Sequence, residues 1–262
     1  MPHFCVSDLH ACDKGPRDAF AFQDREVRFG KFLDMVENEH GRLLILGDLL
    51  DFWQVPVGAA IVAHRLLLDR LDAMGATWIV GNHDNALAPL IGTPLMIDHP
   101  LFQRSCHPFE ETIGGRRFAF LHGHEADPYC CEPNPGIGEI TAIISGMLED
   151  RNKSPFTHKG HAVADEFVGT LESALTLWRT LTFQHGRQAE MVEGVEKYRQ
   201  EKRCDVVVYG HTHAPGRIGD YHFNTGSWAR QNDTYVKIED DGTTNVLEWL
   251  GTWPKPCNTK LG

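Results

Sequence analysis

The sequence predicts an α/β fold built in layers, and three observations predict it. Five short apolar runs each stop at a polar cluster: HFCV before Ser7, RLLIL before Gly47, TWIV before Gly81, FAFL before His122 and DVVVY before Gly210. Uninterrupted apolar runs of this length, most of them closed by glycine, read as buried strands. Segments with helical periodicity lie between the first three runs, and strands alternating with helices give a layered α/β architecture. All five polar clusters stand at strand carboxyl ends, where sheets of this class form their sites.

Taken in order, the run from residue 3 to residue 6 is the first strand, and the second ends at Leu46. Between them, residues 25–39 place Val27, Phe32, Met35 and Val36 near one face of a helix, interrupted by Gly30. Residues 60–74 carry the same periodicity more clearly and lead to the third strand. Gly114-Gly115 marks a turn between two strands, and Asp241-Gly242 between alternating runs is a hairpin signal, so the tail adds antiparallel sheet. Residues 125–204 break the rhythm with a proline-rich loop, DPYCCEPNPG, and helical stretches at 137–149 and 161–201. There Val163, Phe167, Val168, Leu171, Leu175 and Trp178 recur at helical spacing, either as a face packed on the core or as a cap beside the site. With no internal repeat or linker, residues 1–262 read as a single domain carrying a helical cap insertion at about 125–204.

Composition sets outer bounds. The 262 residues include 42% hydrophobic and 23% charged, ordinary for a soluble globular chain. No apolar run approaches the roughly 20 residues that span a bilayer, and the start MPHFCVSDLH has no basic-then-apolar leader, so a cytoplasmic protein is expected. The net charge of −11, from 25 Lys+Arg against 36 Asp+Glu, argues against a nucleic-acid partner. An acidic chain that handles phosphate needs positive charge, and bound metal ions are one source. The seven cysteines form neither zinc pairs nor a disulfide framework; Cys130 and Cys131 are adjacent, and Cys5 reads as a small buried hydrophobe. Fifteen histidines are the unusual number, because imidazole is a leading transition-metal ligand.

The histidines and carboxylates fall at the strand ends. Asp8 and His10, like His211 and His213, are two apart, so in extended chain each pair faces one side. Asp48 and Asp51 follow Gly47; Asn82, His83 and Asp84 are consecutive; His122 ends another strand. Any one cluster also reads as turn formers or helix caps. Together they offer more than four mixed oxygen and nitrogen donors, enough for two metal ions about 3.5–4 Å apart. Such donors favour manganese, iron, cobalt or zinc over calcium or magnesium.

D-x-H, G-D-x-x-D, G-N-H-D, a distant His and G-H-x-H, in this order from Asp8 to His213, resemble the calcineurin-like metallophosphoesterases. The resemblance implies a two-sheet β-sandwich flanked by helices and two divalent metal ions, manganese first among the candidates. It implies that Asp8, His10 and His213 hold one ion, that Asn82, His122 and His211 hold the other, and that Asp48 bridges them. By the same resemblance His83 is no ligand but a proton donor to the leaving group, oriented by Asp84, while Asp51 fixes the loop or a ligand imidazole. Phosphoester hydrolysis by a metal-bridging hydroxide is the implied reaction.

GDLLDFW at 47–53 and FNTGSW at 223–228 are similar to the branch that hydrolyses the pyrophosphate of UDP-2,3-diacylglucosamine. Two departures stand against that branch: Ala11-Cys12 where it has Leu-Gly, and His124 where it has Asp. His124 is either a further phosphate contact or a neutral replacement. Implied partners are thus a small-molecule or lipid-linked phosphoester, with transient contact at a membrane surface; the alternatives are a nucleotide or other small phosphoester, or a catalytically silent scaffold. Arg116, Arg117, Arg151, Lys153 and Lys159 are candidate phosphate contacts.

Overall fold

Strand β1 (His3–Val6) sets the pattern of the molecule, because its two faces are both buried but against different layers. Phe4 and Val6 turn to a helical layer, and Cys5 turns to a second sheet. In this computed structural model residues 1–15, 18–21, 24–127, 186–229 and 233–257 are described. β2 (Arg42–Leu46) and β3 (Thr77–Ile79) repeat the alternation: Leu43, Ile45 and Trp78 pack outward, while Leu44, Leu46 and Ile79 pack inward. Burial of both faces explains why these strands read as unbroken apolar runs.

The first sheet is completed by β4 (Ser105–Cys106), β10 (Thr234–Ile238), β11 (Thr244–Trp249) and β12 (Pro254–Pro256), in the order β12-β11-β10-β1-β2-β3-β4. β1 to β4 run parallel, and β10, β11 and β12 are antiparallel, with Asp241-Gly242 in the β10–β11 hairpin. The second sheet contains β5 (Phe109–Ile113), β6 (Arg116–Phe120), β7 (Val206–Tyr209), β8 (Gly216–Ile218) and β9 (His222–Asn224), ordered β5-β6-β7-β9-β8. Gly114 and Gly115 both have positive φ and turn β5 into antiparallel β6, whereas β6 and β7 are parallel. Phe118, Phe120, Val206, Val208 and Phe223 meet Cys5, Leu44 and Leu46 across the sandwich. Two mixed sheets flanked by helices are therefore the observed architecture.

Helix α1 (Arg25–Asn38) buries Arg25, Phe29, Phe32, Leu33 and Val36, spaced as one helical face. Val27 falls on the opposite side and is 60% exposed, which corrects its placement on the apolar face. The helix expected over 60–74 is two, α2 (Val57–Ala63) and α3 (Arg65–Ala73), broken at His64. The buried His64 ring turns to Asp18, with Nε2 2.7 Å from Oδ2. That carboxylate also accepts from the backbone amides of Cys12, Lys14, Phe20 and Ala21, fastening the chain that follows β1. α4 (Pro100–Gln103) precedes β4.

Helix α5 (Gly186–Glu201) sets Met191 and Val195 against Ala119, Leu121, Val207 and Tyr209 on the outer face of the second sheet. It falls in the span expected to be helical at 161–201; residues 137–149, the stripe from Val163 to Trp178, Cys130, Cys131, Arg151, Lys153 and Lys159 lie outside the described residues. Arg116 and Arg117 begin β6, at the end opposite His122. Among the described residues no helix is long and apolar enough to cross a membrane.

Candidate metal centre

Because β1, β2 and β3 run parallel, their carboxyl ends share one edge, and β6 and β7 bring theirs to it from the other sheet. Beyond β1 and β2 the two loops continue to pair: His10 N–H donates to the Asp48 carbonyl (2.9 Å) and Ala11 N–H to that of Leu49 (3.1 Å). His83 N–H donates to Asp48 Oδ1 at 2.9 Å, which draws in the loop after β3. From the second sheet, Gly210 N–H donates to the His122 carbonyl, and the His122 ring donates from Nδ1 to the Leu46 carbonyl at 2.7 Å.

This last bond crosses between the sheets and fixes a tautomer, leaving His122 Nε2 as the donor turned to the cluster. That nitrogen is 2.9 Å from Asn82 Oδ1 and 3.2 Å from Asp48 Oδ2. The same Asp48 oxygen is 3.6 Å from His10 Nε2. His10 Nε2 is in turn 3.1 Å from His213 Nε2 and 3.7 Å from Asp8 Oδ1, and His213 Nε2 is 3.1 Å from that oxygen. Donors from Asp8, His10 and His213, from His10, Asp48 and His83, and from Asp8, Asp48 and His122 each gather within 4.8 Å.

These spacings suit bound metal. With metal–donor bonds of about 2.1 Å, neighbouring donors on one ion stand about 3.0 Å apart in an octahedron and about 3.4 Å apart in a tetrahedron. Asp8 Oδ1 is fully buried, and the polar atoms that face it are the Nε2 nitrogens of His213 and His10, a mixed donor set that suits a cation.

A profile described as calcineurin-like phosphoesterase matches residues 1–215. The chain belongs to that family. Calcineurin-like phosphoesterases are metal-dependent hydrolases, and the family implies two divalent ions. No match is found among curated proteins. Of the solved structures it resembles, a dimetal phosphatase from Danio rerio is 13% identical with a TM-score of 0.51, covering 95% of each chain. Vacuolar protein sorting 29 from Cryptosporidium parvum is 10% identical at TM-score 0.48, covering 98% of this chain and 95% of that one. A predicted phosphoesterase from Streptococcus pneumoniae is 14% identical at 0.40, covering 94% and 87%.

In this calcineurin-like phosphoesterase the backbone itself is bent to the site. Asp8, His10, Asp48, His211 and His213 all have φ between 50° and 68°. Left-handed geometry costs a side-chain-bearing residue roughly 1–2 kcal/mol, and strain of this kind gathers at functional sites. Gly47 (φ +87°) has no room for a side chain, because a Cβ there would lie 2.3 Å from His122 Nδ1. A Cβ on Gly81 would lie 2.2 Å from Asp48 Oδ1.

The charges of the cluster call for a cation. Burial pushes the Asp48 carboxyl up, but His122, His83 and His10 outweigh it and hold it well below the carboxylate range. Burial likewise opposes ionisation of Asp8, and His213 and His10 overcome it. His122 resists burial through Asp48 and is pushed up to about 10.

Asp51 stands behind two rings, with Oδ2 3.3 Å from His10 Nδ1 and Oδ1 3.0 Å from His83 Nδ1. His83 also lies against Trp53, ring centroids 3.8 Å apart. Asp84 departs from its expected part: it accepts from the amides of Gly81 (2.5 Å) and Leu49 (2.9 Å), joining two loops, and Asp51 is the carboxylate beside His83. Burial, then the nearby charge of Asp48, raise Asp84 to about 7. The His211 ring lies 5.1 Å from that of His122, and its Nε2 is 2.7 Å from Asp127 Oδ2. Burial, with His122 adding to it, lowers His211 to about 4. His124 sits alongside, its ring 5.4 Å from His122 and Nδ1 3.6 Å from Glu125 Oε2, and burial lowers its pKa.

Three contributors have roles that their spacing does not announce. Asp127 sits before a proline, far in sequence from the His211 ring it meets. Trp53 belongs to the GDLLDFW motif, and its contact with His83 comes from another loop. FNTGSW proves to be a brace: Ser227 Oγ and Trp228 N–H donate to the Asp8 carbonyl, Ser7 Oγ meets Thr225 Oγ1 at 2.6 Å, and Asn224 Nδ2 donates to the Gly210 carbonyl. It ties the Asp8 loop to the His211 loop.

Proposed function

We infer that the chain hydrolyses a phosphoester with two divalent ions, held on one side by Asp8, His10 and His213 and on the other by Asn82, His122 and His211. The observation that carries this reading is the position of Asp48 Oδ2, 3.2 Å from His122 Nε2 and 3.6 Å from His10 Nε2, where one oxygen serves both donor sets. When bound, the ions supply Lewis acidity, neutralising phosphate oxygens and making a nucleophile of water near neutral pH. Manganese suits the mixed imidazole and carboxylate donors.

The protein's own groups do the rest. Asp48 also holds the His83 amide, so the loop carrying the acid is set by the bridging residue. Asp51 Oδ1 lies 3.0 Å from His83 Nδ1 and orients the ring, which would give a proton to the departing oxygen. Trp53 holds the plane of that ring.

For substrate, the proposal is a nucleoside-diphosphate-linked lipid of the UDP-2,3-diacylglucosamine type, cleaved at its pyrophosphate in the cytoplasm at a membrane surface. Support comes from GDLLDFW and FNTGSW, the two motifs shared with that branch, since one carries Trp53 onto His83 and the other braces Asp8. The second reading, a phosphodiesterase or phosphatase acting on a nucleotide or small phosphoester, draws on His124, a neutral side chain 5.4 Å from His122 where the branch has a carboxylate. Hydrolysis of the UDP-lipid, bis-p-nitrophenyl phosphate and p-nitrophenyl phosphate side by side separates them. A preference for the lipid of about a hundredfold or more in kcat/KM supports the first reading, and equal or better turnover of the small esters overturns it.

A further inference from the structure

Asp127 has no part in the ligand set, yet its place is closely determined. It is fully buried, and its Oδ2 lies 2.7 Å from His211 Nε2. It leaves a short 3-10 turn (His124–Ala126) and donates its own N–H to the His124 carbonyl at 3.2 Å. That turn packs on α5 at Gly194, where a Cβ would lie 2.5 Å from the Ala126 carbonyl oxygen. From the other side, His211 is fixed by its N–H to Asp8 Oδ2 at 3.0 Å and by its left-handed backbone. The imidazole is therefore gripped at Nε2 by a carboxylate that the helix behind it holds in place.

We propose that Asp127 is a positioning residue that keeps the proton of His211 on Nε2, presents Nδ1 to the second metal ion, and so sets the affinity for that ion. A carboxylate facing one ring nitrogen accepts its hydrogen, which places the lone pair on the other nitrogen and makes the ring a stronger donor. His122 shows the opposite arrangement. Its Nδ1 donates to the Leu46 carbonyl and its Nε2 faces the cluster, so the two histidines would engage a shared ion through different nitrogens. The proposal rests on the dinuclear reading above.

The test titrates manganese into the metal-free full-length chain, wild type and Asp127→Asn, following bound ion by electron paramagnetic resonance. Wild type takes up two ions and shows the spin-coupled pair signal. Asp127→Asn fills the Asp8–His10–His213 side as wild type does, and its pair signal shifts to about 10–100-fold higher manganese. Asp127→Glu recovers part of the loss, and adding Asp127→Asn to His211→Ala weakens binding no further. Unchanged second-ion affinity in a folded Asp127→Asn protein overturns the proposal, as does an equal loss for both ions. Fewer than two ions in wild type overturns the dinuclear reading itself. Should Asp127→Asn fail to fold, the nitrogen spectrum of His211 in unaltered zinc-loaded protein decides: a proton on Nε2 supports the assignment, and a proton on Nδ1 overturns it.

Discussion

Replacing Asp51 by asparagine tests how the ligand and the acid are held, and the structure says which of the two suffers. Asp51 Oδ1 accepts from the amides of Trp53 (3.1 Å) and Gln54 (3.3 Å) as well as facing His83 Nδ1. Two backbone donors pin an oxygen there, so the side-chain amide of the Asp51→Asn protein keeps its carbonyl on that side. Its NH2 then faces His10 Nδ1, where Oδ2 stood at 3.3 Å. Two donors cannot face one another, and His10 relieves the clash by moving its proton to Nε2, the nitrogen that points at Asp8, Asp48 and His213. Loss of a hydrogen bond to a charged group costs about 1.5–3 kcal/mol, or about 10–150-fold in binding at 1.4 kcal/mol per decade. Asp51→Asn is thus expected to bind the ion on the Asp8–His10–His213 side about 10–100-fold more weakly, as outer partners of metal-ligating histidines do. Turnover at saturating manganese should stay within about tenfold of wild type, since the carbonyl beside His83 remains. Isothermal titration with manganese and steady-state kinetics at several manganese concentrations measure both. Wild-type metal affinity combined with collapsed turnover would refute this assignment of the two oxygens.

Other perturbations follow from the same geometry. His83→Ala should retain both ions by elemental analysis yet lose about 10²–10⁴ in kcat, with a smaller loss on p-nitrophenyl esters, whose leaving group needs no proton; loss of metal instead would make His83 a ligand. Gly47→Ala drives a Cβ to 2.3 Å from His122 Nδ1 and should cost about 2–3 kcal/mol in urea unfolding, together with weaker metal binding; an unchanged midpoint contradicts the close approach. Asp18 supplies a pH prediction. Burial pushes its carboxyl up, but His64 and the amides of Ala21 and Lys14 outweigh this and hold it below the ordinary value. A depressed folded pKa gives stability that is complete above the unfolded value near 3.9 and lost as pH falls through the folded value. Asp18→Asn should therefore cost about 2–3 kcal/mol near pH 6, with the gap to wild type closing as metal-free protein is taken below about pH 4; a gap independent of pH sinks the linkage.

Much of the fold was legible because its inner strands are buried on both faces. RLLIL or VVVY admits little besides a central strand, and each stops where the chain must turn at the sheet edge. The site was legible for a related reason: its donors stand within a few residues of those strand ends, so local spacing carries the pattern. What escaped depends on partners distant in sequence. His64 stands at the break between two helices, its ring turned to Asp18, 46 residues away. Val27 looks like its apolar neighbours, and only the placement of Phe29 and Phe32 under Trp228 shows that it faces outward. Asp84 stands next to His83 in sequence, yet its carboxylate is claimed by the Gly81 and Leu49 amides, and Asp51 arrives from another loop. Asp127 meets His211 across 84 residues, and nothing in the spacing of the motifs foretells it.

The most direct test of the dinuclear centre is the metal content and activity of one preparation. The chain is stripped with chelator and dialysed, then reloaded with increasing manganese while hydrolysis of bis-p-nitrophenyl phosphate and bound metal are followed together. The account predicts no turnover in the stripped protein and a rise in hydrolysis that reaches its plateau at two ions per chain. Full activity without metal, or a plateau at one ion, would contradict it.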